Sequence, residues 1–382
     1  MNQIQTGKVR WVGAAACVLA AAALVGCAHG PEAGPVRQPG PVAAGAATMD
    51  IGLIAFNDLH GNLEPPHIAV PIRGAAGVER VPAGGAAYLA SAIAQLKSRN
   101  QHHAVITAGD MVGASPLVSA LFLDEPTIEA VNHMQIDFSA VGNHEFDKGD
   151  SGLKGFIDLL RKGTCKTPVL SANVQFGANS ALNASRAPGY VSPSTVVERG
   201  GQKIGIVGLT IAQKTQASSS PDAGTTFEDE ATAAQREIDR LRGQGINKII
   251  VMSHVGYEYD LQIAPKLSGV DVVVGADSHT LLGPVGLTTT GVGTPGGAYP
   301  TQLTDKDGKP VCVVQAWEYA QVVGELKVSF DAQGNVTQCK GTPHVLIGDN
   351  FTIGGKAATD AEKTALKASA VATGFLRIIQ PA

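Results

Sequence analysis

Short apolar runs alternate with polar clusters along most of the chain, and the clusters draw on the same few residue types. The pattern stands out in IGLIAFNDLHG (51–61), AVITAGD (104–110), FSAVGNHEFD (138–147), IIVMSH (249–254) and VDVVVGADSH (270–279). Each run is brief and rich in Val and Ile, as a strand buried on both faces should be, and each gives way to Asp, Asn or His. Between the runs apolar residues recur at helical spacing. Ala87, Ala90, Ile93, Ala94 and Leu96 predict a helix over Gly84–Arg99. Pro126 suits the first turn of a second helix through Ile128 and Val131, a third covers Ser151–Arg161, and a fourth the charged stretch Glu228–Arg242. Further strands are predicted at 169–174, 193–198, 203–210, 311–317 and 322–330, the last two separated by the polar Glu318–Gln321. This alternation indicates an α/β fold with helices on the faces of a sheet. The Gly- and Thr-rich stretch Gly283–Thr304 reads as surface loop, and Thr359–Ile379 as a terminal helix.

In open α/β sheets ligands bind beyond the carboxyl ends of the strands. Strands sharing one sheet would therefore gather Asp58, His60, Asp110, Asn143, His144, His254, Asp277 and His279 along one edge. Singly, each is an ordinary turn residue. Their recurrence after one apolar run after another points instead to a metal centre. Asp58 and His60 are separated by one residue, so extended backbone would aim both side chains the same way. Asp110 follows Ala-Gly, which lets the chain turn tightly and place a carboxylate where it could bridge two cations. No cysteine accompanies the set, which argues against a structural zinc knuckle or an iron–sulfur cluster. Imidazole with oxygen donors suits zinc, manganese, iron or cobalt. His29, His67, His102, His103, His133 and His344 lack such a context and read as surface or structural groups.

Composition narrows the picture further. A chain of 382 residues that is 44% apolar and 16% charged can bury a sizeable core. Its net charge of -4, with no basic stripe, gives nucleic acid polymers nothing to bind by their backbone. Lys8 and Arg10 precede an apolar run from Trp11 to Val25, the pattern of a secretory signal, and Leu24-Val25-Gly26-Cys27 resembles the bacterial lipobox. The expectation is a lipoprotein signal over 1–27 with the lipid on Cys27, a disordered Pro/Gly/Ala tether over 28–49, and residence in the periplasm or cell envelope. A plain cleaved signal or a short membrane anchor is the alternative. With Cys17 and Cys27 in that leader, Cys165, Cys312 and Cys339 remain in an oxidising compartment. The turn signal Asp331–Asn335 between strand-like runs predicts a Cys312–Cys339 disulfide and a free Cys165.

NDLHG, AGDMVGASP, GNHEFDKG, SANV, SHVG and GADSHT resemble the successive signatures of the 5'-nucleotidase branch of calcineurin-like metallophosphoesterases, from about Ile51 to Gly348. The resemblance implies a four-layer αββα sandwich over 50–348, two divalent ions (Zn, Mn, Fe, Co or Mg), and hydrolysis of nucleotides or other phosphate monoesters by a metal-activated water. It implies that Asp58, His60, Asp110 and His279 hold one ion and Asp110, Asn143, His254 and Asp277 the other. It further implies that His144 is catalytic and that Asp147 orients it.

Two departures qualify the resemblance. The final family block usually reads Gly-His-Ser-His or Gly-His-Ser-Gln, whereas Asp277 stands at the first histidine position. A carboxylate can ligate the same metals, but it adds negative charge, which favours harder ions and weakens attraction for phosphate. The second departure concerns the C-terminal domain that grips the nucleobase in full-length family members. Residues 349–382, with Phe375 and Arg377, read as a linker helix with that domain absent. Rival readings are a thiosulfohydrolase-like dimetal hydrolase and a catalytically weak, lipid-anchored binding protein.

Overall fold

Two sheets form the centre of the described fold, and the buried strands read from the sequence fall in both. The computed structural model describes residues 49–66, 70–74, 77–284, 287–290, 292–348, 352–353 and 356–365. The leader and all of the tether except Met49 lie outside these residues. The first sheet runs, in spatial order, through Val336–Val345, Val322–Phe330, Met49–Phe56, His103–Thr107, Phe138–Ala140, Val169–Leu170 and Val191–Ser192. The second runs through Thr301–Thr304, Pro310–Gln315, Val272–Gly275, Ile249–His254, Gln202–Thr210 and Ser194–Arg199. Within each sheet the central strands are parallel, so their carboxyl ends share one edge.

Side-chain alternation along Met49–Phe56 shows how the layers form. Ile51, Leu53 and Ala55 join Ile106 of the same sheet and Ile206, Ile250 and Met252 of the other in one buried cluster. Ile54 and Phe56 point the opposite way, into a cluster with Leu89, Ile93 and Leu96, Ile128 and Val131, and Leu153 and Ile157. Those residues come from helices Ala86–Arg99, Glu125–Met134 and Gly149–Leu160. On the far side, Ala233, Ala234, Ile238 and Leu241 of helix Glu230–Gly243 pack onto the second sheet. The result is the expected αββα sandwich. Both faces of the central strands are covered, which is why they read as unbroken apolar runs.

The helices lie within a few residues of the positions predicted from periodicity, and Asp229 caps Glu230–Gly243 by accepting from the Thr232 amide at 2.8 Å. The Cys312–Cys339 disulfide is present and Cys165 is free and exposed. Other expectations need correction. Gly283–Thr304 is not plain surface loop: it contains a helical turn at Leu287–Thr290 and the edge strand Thr301–Thr304, with Leu287, Val292 and Tyr299 buried. Its apolar residues are too widely spaced to show a period, and distant packing rather than local pattern orders them. The predicted strand 169–174 is two short strands, Val169–Leu170 and Val174–Gln175, in different sheets. Short helices at Ala212–Ser218 and Tyr257–Ile263 have too few turns to show periodicity. Of the terminal helix, residues 360–365 are helical, and 366–382 fall outside the described residues. No helix among the described residues is long and apolar enough to cross a membrane.

Candidate metal centre

The polar clusters follow the strand ends closely. Asp58 lies just beyond Met49–Phe56, Asp110 beyond His103–Thr107, Asn143 beyond Phe138–Ala140, and Asp277 beyond Val272–Gly275, while His254 ends its own strand. The backbone there is unusual. Asp58, His60, Asp110, Asp277 and His279 all have positive φ, between 45° and 71°. Left-handed backbone is costly for residues other than Gly, and its clustering marks a site the surroundings over-determine. Asp58 and His60 therefore converge through a turn and not, as their spacing suggested, by alternation along a strand. Gly109 (φ 100°) completes the bend before Asp110, and a Cβ there would meet the Gly142 amide and His254 Nδ1, both at 2.7 Å.

Hydrogen bonds fix how each histidine faces the centre. His60 Nδ1 donates to the Gly113 carbonyl at 2.8 Å, His254 Nδ1 to the Ala108 carbonyl at 2.8 Å, and His279 Nδ1 to Glu318 at 2.5 Å. Because these partners only accept, each ring is left with Nε2 as the free donor atom facing the carboxylates. His60 Nε2 lies 3.3 Å from His279 Nε2 and 3.8 Å from Asp58 Oδ1, and His279 Nε2 lies 3.4 Å from Asp58 Oδ1. Around the neighbouring position His254 Nε2 is 3.1 Å from Asp110 Oδ2, 3.3 Å from Asn143 Oδ1 and 3.7 Å from Asp277 Oδ1. A cation with bonds of about 2.1 Å holds neighbouring donors about 3.0–3.4 Å apart. The donor sets fit divalent metal in chemistry, and their closest separations, 3.1 to 3.4 Å, match it in spacing. Asp110 Oδ2 also lies 3.7 Å from His60 Nε2, so its carboxylate stands between the two positions.

Electrostatics favour positive charge here. Burial pulls the His254 imidazole down, yet the charge and hydrogen bond of Asp110 together with the Asp58 and Asp277 charges outweigh it and lift the group to about 10. His279 is likewise lifted to about 10, against burial, by hydrogen bonds with Asp58 and Glu318. Asp110 is held well below the usual carboxylate range by His254, although burial alone would raise it.

Beside the donors, His144 Nδ1 donates to Asp147 Oδ2 at 2.7 Å, and the two side chains remain 26% and 30% exposed, open to an incoming molecule. That hydrogen bond raises the imidazole above its ordinary value. The His144 amide donates to Asp110 Oδ1 at 2.9 Å.

All the ligand positions expected from the sequence are brought together, with the His144–Asp147 pair at their side. Sequence reasoning missed the residues that hold them. Buried Glu145 accepts the Asp110, Met111 and Gly142 amides at 3.0, 2.8 and 2.7 Å, bracing the loops that carry Asp110 and Asn143. Burial and the Asp110 charge push it up to about 7, against the pull of its amide donors. Asn57 donates to Asp58 Oδ2 at 2.5 Å and accepts the Ala316 amide at 2.8 Å. Glu318 orients His279, and Lys214 Nζ donates to Asp277 Oδ1 at 2.7 Å. Asn57 and Glu145 sit inside the motif blocks and could have been read there. Glu318 and Lys214 carry no sequence signal. His344 is structural, fully buried with Nε2 2.9 Å from Glu325 Oε2.

Fold and site together define an α/β sandwich with a His/Asp/Asn centre suited to divalent metal. A family profile described as calcineurin-like phosphoesterase matches residues 52–281. The chain belongs to the calcineurin-like phosphoesterase family. It is 40% identical over 308 residues to a Treponema pallidum protein named "Probable 5'-nucleotidase", covering 80% of this chain and 49% of that one. The solved structure of Haemophilus influenzae NAD nucleotidase superposes with TM-score 0.77 at 31% identity, over 86% of this chain and 57% of that one. A 5'-nucleotidase precursor from Thermus thermophilus superposes with TM-score 0.67 at 33% identity, over 85% and 59%. The chain thus spans about half the length of the curated relatives it matches.

Proposed function

We propose that the chain is the catalytic part of an exported, dimetal-dependent phosphoesterase that hydrolyses nucleotides or related phosphate monoesters. The observation that carries this is the set of Nε2-presenting histidines interleaved with Asp58, Asp110, Asn143 and Asp277 at cation-like spacing. Asp58, His60 and His279 would hold one ion, Asn143, His254 and Asp277 the other, and Asp110 both. When bound, such ions supply an activated water and offset charge on phosphoryl oxygens.

The chain's own groups do the rest. Asp147 holds the proton on His144 Nδ1, which leaves His144 Nε2 to stabilise the phosphoryl charge or to protonate the departing alkoxide. The hydrogen bond to Asp147 raises the affinity of His144 for protons, which favours the acid role. Export is supported by the signal-like N-terminus and by the Cys312–Cys339 disulfide, which persists in oxidising compartments. The nucleotidase names of the relatives at 31–40% identity favour phosphate esters over a thiosulfohydrolase substrate.

Phosphate release from AMP and from a chromogenic phosphate ester, with Mn²⁺- or Zn²⁺-reconstituted protein, tests the proposal. Activity abolished by chelator and restored by metal is expected. Metal-loaded, folded protein inert on both esters refutes it.

A further inference from the structure

The family signature places a neutral imidazole where this chain has Asp277, and that carboxylate is not alone. Asp277 Oδ1, the oxygen nearer His254 Nε2 at 3.7 Å, accepts from Lys214 Nζ at 2.7 Å. The Asp277 side chain is only 10% exposed and that of Lys214 40%, so the contact is more enclosed than an ordinary surface pair. Its frame is fixed at both ends. The Asp277 amide donates to the Asp58 carboxylate at 3.1 and 3.3 Å. Lys214 stands on helix Ala212–Ser218, whose first amide donates to Glu230 at 2.8 Å and whose preceding Ile211 amide donates to the His254 carbonyl at 2.8 Å. The Asp110 and Asp58 carboxylates also act on the ammonium, which places it at the rim of the centre.

We propose that Lys214 and Asp277 act as one neutral unit replacing an imidazole at the second cation position, with Lys214 setting the charge that both metal and phosphate experience there. This rests on the dimetal reading above. An unpaired carboxylate would tighten divalent binding and repel phosphate. The ammonium restores the balance, and its partly exposed position lets it face an incoming phosphate as well. Lys214 is thus a positioning residue for the metal and a specificity residue for the anion.

The test is a double-substitution cycle on the metal-stripped, folded chain: wild type, Lys214→Gln, Asp277→Asn and the pair, each titrated with Mn²⁺ by calorimetry with metal content checked by mass spectrometry. Melting curves confirm folding; Asp277→Asn is isosteric, and Lys214→Gln removes the ammonium from a side chain that is 40% exposed. Wild type is expected to take up two equivalents. Asp277→Asn should weaken the second on the order of tenfold, Lys214→Gln should tighten it by a similar factor, and the pair should return to within about threefold of wild type. Lys214→Gln should also weaken inhibition by inorganic phosphate several-fold. A second equivalent that Lys214→Gln does not tighten, or a pair as weak as Asp277→Asn alone, overturns the inference and leaves the dimetal reading standing. Fewer than two equivalents in wild type overturns both.

Discussion

Glu145→Ala is the substitution from which the structure predicts most damage without touching a proposed ligand. The carboxylate is 3% exposed and accepts the amides of Asp110, Met111 and Gly142. Alanine leaves these donors buried with no partner at a cost of roughly 1–3 kcal/mol each, about 5 kcal/mol together. Domains are typically stable by about 5–15 kcal/mol, so the variant should be marginal. Glu145→Gln is more selective. Its amide oxygen can replace Oε2, which serves both Asp110 and Gly142, but its NH₂ group then faces the Met111 amide, donor against donor. A loss of about 1–3 kcal/mol is expected. Urea unfolding of metal-stripped protein, followed by circular dichroism and by the fluorescence of Trp317 in the loop beside the site, reads both. The order wild type, Gln, Ala should hold. Two variants within about 1 kcal/mol of wild type would show that the amides find other partners and that Glu145 does not brace the site.

His144→Ala should lower turnover by about 10²- to 10⁴-fold with metal content unchanged by mass spectrometry. Asp147→Asn keeps an acceptor for His144 Nδ1 but removes the carboxylate charge that helps raise His144, so the alkaline limb of the pH–rate profile should move to lower pH. Glu325 is held down to about 2, chiefly by its hydrogen bond with His344, so its stabilisation is present above its ordinary value near 4.5 and is lost as pH falls towards 2. Glu325→Gln should cost on the order of 1–3 kcal/mol at pH 7 by denaturant titration, and the gap to wild type should close on acidification. Removing the Cys312–Cys339 bridge, which spans a sequence separation of 27, should cost about 3–4 kcal/mol, measured as a lower unfolding midpoint for Cys312→Ser/Cys339→Ser.

The strands and the donor residues were legible because both follow from one constraint. A parallel strand covered on both faces must be apolar throughout, and its carboxyl end must release the chain into a polar turn, so Asp58, Asp110, Asn143, His254 and Asp277 announce themselves by position. The route by which Asp58 and His60 converge was not legible, because the left-handed backbone at both residues is imposed by packing around them. The supporting shell was hidden for a different reason. Glu318 reaches His279 across 39 residues and Lys214 reaches Asp277 across 63, and neither stands in a pattern that marks it. Gly283–Thr304 shows no pattern in sequence because Leu287, Val292 and Tyr299 are buried one at a time, Tyr299 against the distant Gly324 and Gly341.

Two cations are proposed to share Asp110. Crystals soaked in Mn²⁺ and measured at the manganese absorption edge test it most directly. Two anomalous peaks about 3.5–4 Å apart are expected, one among Asp58, His60 and His279, the other among Asn143, His254 and Asp277, with the Asp110 carboxylate between them. A single peak, or peaks remote from Asp110, would contradict it.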